Sequence, residues 1–385
     1  MKIAILIRRY ITTGGAERYA VEVARRLAQT HEVHIFAQEY DHMPQRMTIH
    51  RVPLHFRKPR YLNQWWFSWW ASKNVRGFDL IYTHERLTKF DVMHIHSGTF
   101  VGGLFGAARG EKKNPLLIWL KILTQPRICA YWLLEKLHFR PLPERRWIAV
   151  SEMIKREVQR FYPIPDERFF IAHSGADAPS ANVDEVRKNW RARLDAGEQD
   201  VVLIFVGSEF DRKGLGALIA ALGILRDRPC KLLVLGGGKT KAYRRQAADL
   251  QISHKVIFAG LVKNTSDFYA ASDIFVLPTL SDPSPLSPLE AMAYGCATVM
   301  SCERYNGAAE HIRNGEAILL DDPRSPVEIA DAIQRLMTPA LRGEFARKGR
   351  ALAEKLTWDR TADKVIRALE QTARNRGSSS HREAP

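Results

Sequence analysis

Short apolar runs alternate with segments of helical periodicity in the first half of the chain. The run at 3–7 precedes a loop with two glycines, Gly14 and Gly15, and apolar residues then recur at helical spacing from 16 to 27. Further apolar runs follow at 32–36, 79–82, 91–95 and 147–150. Buried strands joined by helices predict a doubly wound, parallel α/β domain.

The same alternation starts again after a polar stretch at 175–200, which we expect to be a hinge. Its apolar runs lie at 201–207, 231–235, 256–259, 274–277 and 297–300. We therefore predict two Rossmann-like domains, at 1–175 and 176–356, a helix at 357–376 that packs back toward the first domain, and a tail at 377–385. Parallel sheets bind ligands at the carboxyl ends of their strands, so we expect the two domains to face a central cleft.

Positive charge is concentrated in the first domain. The 385 residues include 58 Lys and Arg against 42 Asp and Glu, a net charge of +16. Positions 1–175 hold 28 basic and 15 acidic residues, whereas positions 176–385 hold 30 and 27. This asymmetry predicts an anionic partner for the first domain, and nucleic acid, anionic lipid and phosphorylated saccharide all fit the charge alone.

Two carboxylates, Asp282 and Glu290, flank the predicted start of a helix. Ser287 and Pro288 are typical of the N-cap and the first position of a helix. Glu290 then lies in the first turn, where the helix dipole favours its charge and its oxygens can accept hydrogen bonds from two vicinal hydroxyls. A structural charge at a helix end is the alternative for Glu290.

Two cations, Arg212 and Lys213, follow the run at 201–207. A guanidinium beside an ammonium suits a diphosphate whose charge grows as a bond to it breaks, and a solvated turn is the alternative. The Gly14 and Gly15 loop, at a helix N-terminus, lets backbone amides approach the same phosphates.

His94 and His96 alternate at the end of a predicted strand, so their side chains share one face. A metal pair fits this spacing, but the sequence indicates no third ligand and contains no D-x-D pattern. We therefore expect a site without metal or cofactor, in which a cleft-lining histidine without catalytic duty is the alternative for His96.

Taken together, these motifs resemble the family 4 glycosyltransferases of the GT-B fold. The resemblance is carried by the Gly14–Gly15 loop, by 205–214, 236–238 and 271–278, and by Asp282 and Glu290, which stand where the family has its E-x7-E motif. Segment 207–214, Gly-Ser-Glu-Phe-Asp-Arg-Lys-Gly, is similar to that of enzymes that add hexose to the lipopolysaccharide inner core. Asp282 and Pro285 depart from the family, which usually has Glu and Gly there.

The resemblance implies a retaining, metal-independent hexosyltransferase with a nucleotide-sugar donor. Its site residues would divide as follows: Arg212, Lys213, Gly14 and Gly15 on the donor diphosphate, Glu290 on the ribose, Asp282 on the donor sugar, backbone atoms around Val262 on the base, and His96 near the reacting carbon. It also implies glucose from UDP-glucose as the donated sugar, and a lipopolysaccharide inner core or similar anionic glycolipid as acceptor.

Two segments mix large apolar side chains with cations, at 57–70 and from Lys112 to Arg146. Such mixtures suit the interface between water and anionic lipid, and core packing of the tryptophans is the alternative. No nucleic-acid motif accompanies them, so no nucleic-acid partner is expected. With no signal peptide, no run of eighteen apolar residues and no metal-type cysteine spacing, we expect a cytoplasmic protein, peripheral on the inner face of the cytoplasmic membrane.

Two other functions fit the sequence. One is a sugar-nucleotide epimerase, which can share the GT-B fold and needs no acceptor. The other is a non-catalytic basic protein that binds membrane or nucleic acid.

Overall fold

The computed structural model of the chain describes residues 1–41, 46–106, 114–177, 179, 182–197, 199–262 and 264–380, the last four of these by their backbone alone. The chain divides into two compact units. The first comprises Met1–Ser174 together with Trp358–Pro385, and the second comprises Gly175–Thr357.

A seven-stranded parallel sheet lies at the centre of the first unit. The strands of this unit are β1 (Lys2–Leu6), β2 (Arg9–Tyr10), β3 (Glu32–Ala37), β4 (Glu39–Tyr40), β5 (Met47–Arg51), β6 (Leu80–Thr83), β7 (Val92–Ile95), β8 (Arg146–Ala149) and β9 (Phe169–Ile171). The central sheet has the order β5-β3-β1-β6-β7-β8-β9, and β2 pairs separately with β4. β1 is apolar throughout its buried length because helices cover both faces of such a sheet.

The helices of the first unit include one from the far end of the chain. They are α1 (Gly15–Leu27), α2 (Arg60–Asn74), α3 (Phe100–Phe105), α4 (Pro115–Thr124), α5 (Pro126–His138), α6 (Glu152–Phe161) and α14 (Trp358–Ser380). The rings of Tyr19 and Trp358 meet edge to face at 5.3 Å, and Arg26 pairs with Asp359 at 2.5 Å. α14 continues to Ser380, past the position at which a tail was expected, and 381–385 lie outside the described residues.

The second unit repeats the architecture around a six-stranded parallel sheet. Its strands are β10 (Val201–Val206), β11 (Cys230–Leu235), β12 (Val256–Gly260), β13 (Ile274–Leu277), β14 (Ala297–Ser301) and β15 (Ile318–Leu320), in the order β12-β11-β10-β13-β14-β15. Its helices are α7 (Val183–Arg193), α8 (Leu215–Ile224), α9 (Lys241–Asp249), α10 (Ser266–Ala271), α11 (Ser287–Ala293), α12 (Pro326–Met337) and α13 (Pro339–Ala353). The predicted α/β class with two doubly wound parallel sheets is confirmed.

The polar stretch at 175–200 is not simply a hinge, because it contains α7. Arg187 and Arg191 of this helix both pair with Asp273, at 2.5 and 2.9 Å. Asp273 immediately precedes β13, so α7 is fastened to the second unit. The local sequence did not predict this helix, because its partner lies more than eighty residues further along the chain.

The two segments predicted to contact a membrane differ in their packing. In α2, Trp65 donates to the carbonyl of Ala130 at 3.0 Å and Trp66 to that of Pro53 at 2.9 Å, while Trp69 is 53% exposed. Trp65, Trp66 and Trp70 are half-buried and none of the four tryptophans is in the core, so both the membrane surface and its alternative stay predictions.

In α4, several leucines are exposed, Leu116 by 76% and Leu123 by 80%. Lys112 and Lys113, which precede it, lie outside the described residues. Over the described residues, we find no helix with both the length and the apolarity required to cross a bilayer.

Candidate functional site

In each sheet, the connections run in opposite directions from one central strand. β1 lies between β3 and β6 in the first unit, and β10 lies between β11 and β13 in the second. The loops that leave two such neighbouring strands diverge to opposite faces and open a crevice at the carboxyl end, where ligands bind. The loops after β1, β6, β10 and β13 are therefore the places at which functional side chains are expected.

The predicted cations and the first predicted carboxylate meet at the β10–β13 position. Lys213 Nζ lies 2.8 Å from Asp282 Oδ2, and Arg212 Nη1 lies 3.6 Å from the same oxygen. The side chains of Asp282 and Lys213 are only 10% and 14% exposed. The predicted cation pair and the separately predicted carboxylate thus form one largely buried cluster of three residues, which we call the Asp282 cluster.

Backbone hydrogen bonds fasten together the two loops that carry this cluster. The carbonyl of Arg212 accepts from the amide of Leu280 at 2.8 Å and from the hydroxyl of Thr279 at 3.2 Å. The Arg212 guanidinium also donates to the Ser281 carbonyl and to the Glu209 carboxylate. The position of the cations relative to Asp282 is therefore set by the backbone and not only by flexible side chains.

Asp282 is held from its other side as well. Its amide donates to the carbonyl of Tyr305 at 2.8 Å, and its carbonyl accepts from the amide of Gly307 at 2.9 Å. These two bonds form an isolated parallel bridge beside β13. They fix the backbone at the residue where this chain carries Asp.

Glu290 lies in the first turn of α11, as predicted, and accepts a hydrogen bond from the Tyr269 hydroxyl at 2.9 Å. The predicted N-cap is wrong by one residue. α11 begins at Ser287, and Leu286 occupies the N-cap without a side-chain hydrogen bond. The Ser287 hydroxyl thus lies inside the first turn, from which it cannot cap the free amides in the usual way.

Val262 follows β12, at the edge of the second sheet and two strands from β10. Its side chain is half-buried against the core of the unit. Nothing in this packing tests its assignment to the nucleotide base, which stays a prediction.

Gly14 and Gly15 lie at the N-terminus of α1, after β1 and β2. Gly14 is the N-cap residue with φ of 105°, in the region that glycine adopts most readily. The Glu17 carboxylate, in the first turn of the same helix, lies against Gly14. The loop thus lies at a helix N-terminus, as expected, and its role toward a phosphate stays a prediction.

His96 belongs to a stack of three histidines, one of which the sequence analysis missed. His84 follows β6 and donates to or accepts from His96, with its Nδ1 at 2.7 Å from His96 Nε2. His94 Nδ1 lies 2.6 Å from the Tyr82 hydroxyl. Burial lowers the pKa of His96 to about 3, and burial with the neighbouring His96 holds the pKa of His84 well below its usual value. At neutral pH these rings are uncharged, and one N–H group forms the hydrogen bond between His84 and His96.

The ligand atoms of the three histidines lie within 4.8 Å of one another. The expectation that no third candidate ligand accompanies His94 and His96 is therefore wrong. The three rings are nearly parallel, with interplanar angles of 7° to 16°. His84 Nδ1 and His96 Nε2 are hydrogen-bonded to each other, and His94 Nδ1 is hydrogen-bonded to the Tyr82 hydroxyl. The expectation of a site without metal stays a prediction.

A cavity of about 1050 Å³ adjoins the stack within the first unit. Ala16, Glu17, His84 and His96 all contribute to its wall. The start of α1, the loop after β6 and the end of β7 thus border one space. The first unit has a large polar cavity and the second has the compact Asp282 cluster. Each lies where the connections of its sheet run in opposite directions.

Two family models match most of the chain. Residues 13–178 match Glycosyltransferase Family 4, and residues 200–339 match Glycosyl transferases group 1. An uncharacterized glycosyltransferase of Methanocaldococcus jannaschii is 24% identical over 404 aligned residues, which cover 95% of this chain and 97% of the relative. The lipopolysaccharide glucosyltransferase WaaG of Escherichia coli K12 is 22% identical over 92% of this chain and 94% of its own.

Solved structures share the fold. The crystal structure of WaaG, described as a glycosyltransferase involved in lipopolysaccharide biosynthesis, superposes with a TM-score of 0.79 over 94% of this chain and 98% of its own, at 22% identity. The structure of HepE from Anabaena with UDP and glucose gives a TM-score of 0.71 at 18% identity, over 96% of this chain and 100% of its own.

Two parallel α/β units of this kind, matched over nearly their full length by such structures, show the GT-B fold. The chain belongs to the family 4 glycosyltransferases. One family model matches most of the first unit, and the other matches within the second. The predicted resemblance to lipopolysaccharide core hexosyltransferases is confirmed as a similarity to WaaG at low identity.

Proposed function

We propose that this glycosyltransferase transfers glucose from UDP-glucose, with retention of configuration, to a lipopolysaccharide inner core or a similar anionic glycolipid. The similarity to a lipopolysaccharide glucosyltransferase supports the acceptor class. The similarity in fold to a protein crystallised with UDP and glucose supports the donor. The basic character of positions 1–175 agrees with an anionic acceptor.

One observation carries the proposal: the Asp282 cluster at the end of β10 and β13. Lys213 and Arg212 supply two positive charges where a diphosphate becomes more negative during transfer. Asp282 and Glu290 supply acceptors for hydroxyls of the donor, on the sugar and the ribose respectively. Protein cations thereby take the role that a metal ion has in other transferases, and we propose that the reaction needs neither metal nor cofactor.

The proposed reaction is a substitution on one face of the donor sugar. The bond from the anomeric carbon to the diphosphate oxygen breaks, and the acceptor hydroxyl oxygen forms its bond on the same side. The hydroxyl proton passes to the departing diphosphate. His96, uncharged because burial lowers its pKa to about 3, is suited to hydrogen-bond a sugar hydroxyl without adding a charge.

We also propose that the protein works in the cytoplasm, in peripheral contact with the inner face of the cytoplasmic membrane. The exposed leucines of α4, among them Leu116, Leu120 and Leu123, form an apolar surface, and Lys121 on the same helix can approach anionic headgroups. Such contact would bring the enzyme to a lipid-linked acceptor. No nucleic-acid partner is part of the proposal.

The test is a screen of sugar nucleotides for turnover with purified protein, followed by Lys213→Ala. We expect UDP-glucose to be consumed, and Lys213→Ala to reduce turnover by at least about a hundredfold, as expected for loss of a charge that stabilises the leaving group. Lys188→Ala, at an exposed lysine of α7, is the matched control and should retain the wild-type rate.

Unchanged turnover in Lys213→Ala would reject the diphosphate role. Epimerised sugar nucleotide formed without any acceptor would identify an epimerase instead of a transferase. Absence of turnover with every sugar nucleotide would reject the function as a whole.

A further inference from the structure

The cavity of the first unit is rich in arginine. Among the residues in its wall are Arg8, Arg9, Arg51, Arg57 and Arg60, together with three glutamates. All of these belong to the first unit, so the charge of the cavity can be assessed within that unit alone.

Two of the arginines pair with the three glutamates, which leaves one negative charge of these five residues uncompensated. Arg8 Nε lies 2.9 Å from Glu85 Oε2. Arg9 lies 3.2 Å from Glu39 and 3.8 Å from Glu17. The acidic side chains of the wall are thus committed to Arg8 and Arg9.

The other three arginines of the wall, Arg51, Arg57 and Arg60, pair with none of these glutamates. Arg51 is the last residue of β5, Arg60 is the first residue of α2, and Arg57 lies in the segment between them. All three side chains are exposed to solvent, and within the described part of the chain none of them has an ion-pair or hydrogen-bond partner. With five arginines and three glutamates, the wall carries a net charge of +2, and a positive concave surface favours the binding of an anion.

Two amides complete the wall beside these arginines. Gln38 and Asn63 donate to each other, from Gln38 Nε2 to Asn63 Oδ1 at 2.8 Å and from Asn63 Nδ2 to Gln38 Oε1 at 2.9 Å. Each amide oxygen has a second lone pair available. The same wall therefore offers hydrogen-bond acceptors for hydroxyl groups next to the cationic surface.

We propose that Arg51, Arg57 and Arg60 bind a phosphate group carried by the acceptor saccharide, with Gln38 and Asn63 accepting hydrogen bonds from its hydroxyls. A guanidinium binds phosphate through two parallel hydrogen bonds. Three guanidinium groups offer more donors and charge than one carboxylate can use, which suits the oxygens of a phosphate dianion. The cavity volume is that of a small-molecule site and not of a flat docking surface.

The inference rests on the proposed function, because it names the acceptor class of that transferase. It also changes the interpretation of Arg57 and Arg60, which the sequence analysis assigned with the neighbouring tryptophans to a membrane surface. The structure places both arginines in the cavity wall.

The experiment is calorimetric titration of the full chain with mannose 6-phosphate, mannose and inorganic phosphate. We expect mannose 6-phosphate to bind at least about tenfold more tightly than mannose, since hydrogen bonds to charged groups are the strong ones. Arg57→Gln/Arg60→Gln should weaken mannose 6-phosphate by about tenfold or more and leave mannose nearly unchanged. Arg57→Lys/Arg60→Lys should recover part of the loss because it restores the charge.

Arg76→Gln is the matched control, an exposed arginine of the same unit outside the cavity wall, and should titrate like the wild type. Equal binding of mannose and mannose 6-phosphate, or full phosphate preference in Arg57→Gln/Arg60→Gln, would overturn the inference. So would binding of inorganic phosphate that the double variant does not alter. The titration needs no turnover, so its outcome is independent of the sugar-nucleotide screen that tests the transferase itself.

Discussion

Replacing Asp282 by Asn removes the negative charge from the Asp282 cluster at almost unchanged size. In the wild type, one carboxylate oxygen lies 2.8 Å from Lys213 Nζ and 3.6 Å from Arg212 Nη1. The substitution therefore leaves two cations without their shared counter-charge. Stability and anion affinity should both respond.

The stability loss follows from the exposure of the pair. Breaking a fully buried pair costs about 3–5 kcal/mol, and an exposed pair contributes about 0–1 kcal/mol. Asp282 and Lys213 are close to the buried limit, at 10% and 14% exposure, but the Asn oxygen can still accept from Lys213, and Arg212 keeps its Ser281 and Glu209 partners. We expect a loss of about 2 kcal/mol, or a fall in Tm of about 4–8 °C for a unit of this size.

The substitution should lower the stability of the unit but raise its affinity for a diphosphate. In the wild type, a diphosphate competes with Asp282 for Lys213 and Arg212, and in Asp282→Asn this competitor is gone. UDP should then bind about tenfold more tightly, which corresponds to about 1.4 kcal/mol, while turnover of UDP-glucose falls because the donor sugar loses an acceptor. Calorimetric titration with UDP, thermal unfolding with and without UDP, and a turnover assay measure the three effects.

Asp227→Asn is the control for these measurements, because Asp227 is 92% exposed in the same unit and the substitution removes the same charge. It should match the wild type in all three. If Asp282→Asn binds UDP no more tightly than the wild type, the carboxylate does not compete with a diphosphate, and the reasoning about the cluster is refuted.

Three further predictions concern the histidine stack, a turn and α4. Burial holds the pKa of His96 at about 3, below its ordinary 6.5, so the unfolded chain binds more protons between these values and stability falls as the pH decreases. We expect this group to lower the free energy of unfolding by about 1 kcal/mol from pH 6.5 to 5.5. When the free energy of unfolding is measured by urea titration at each pH, it should depend less steeply on pH in His96→Gln than in the wild type. An equal pH dependence would contradict the assignment. Gly236→Ala should cost about 2–3 kcal/mol, because φ is 142° and a Cβ would overlap a backbone oxygen. Gly237→Ala meets only a flexible leucine tip and should unfold near the wild-type temperature; equal Tm values for the two would show that the turn can relax. In flotation with anionic vesicles, Leu120→Glu/Leu123→Glu should lower the bound fraction about tenfold or more, and an unchanged fraction would exclude α4 as the contact.

The sequence predicted well those elements that local pattern determines. The apolar runs at 3–7 and 274–277 correspond to β1 and β13 to within one residue, because strands buried on both faces must be apolar along their length. Glu290 was placed in the first turn of α11 because Pro288 marks a helix start. In both cases the information lies within a few residues of the element concerned.

Contacts between distant loops could not be predicted in the same way. Lys213 and Asp282 are 69 positions apart, and their distance follows from the pairing of β10 with β13, which no local pattern specifies. His84 was missed for the same reason, because it stands alone in the sequence and meets His96 only after β6 and β7 align. The carboxylate and the cations could therefore be named from their motifs, but not their ion pair.

The return of α14 to the first unit has a consequence for synthesis on the ribosome. Trp358 packs on Tyr19, and the Thr361 hydroxyl donates to the carbonyl of His173, so residues at both ends of the polypeptide are needed to complete one hydrophobic core. The amino-terminal segment emerges first but must wait for the last helix, whereas residues 175–357 have all their own strands available before translation ends. A chain released early near residue 357 would therefore lack α14 and leave the core of the first unit incomplete, whereas the second unit would have all of its strands.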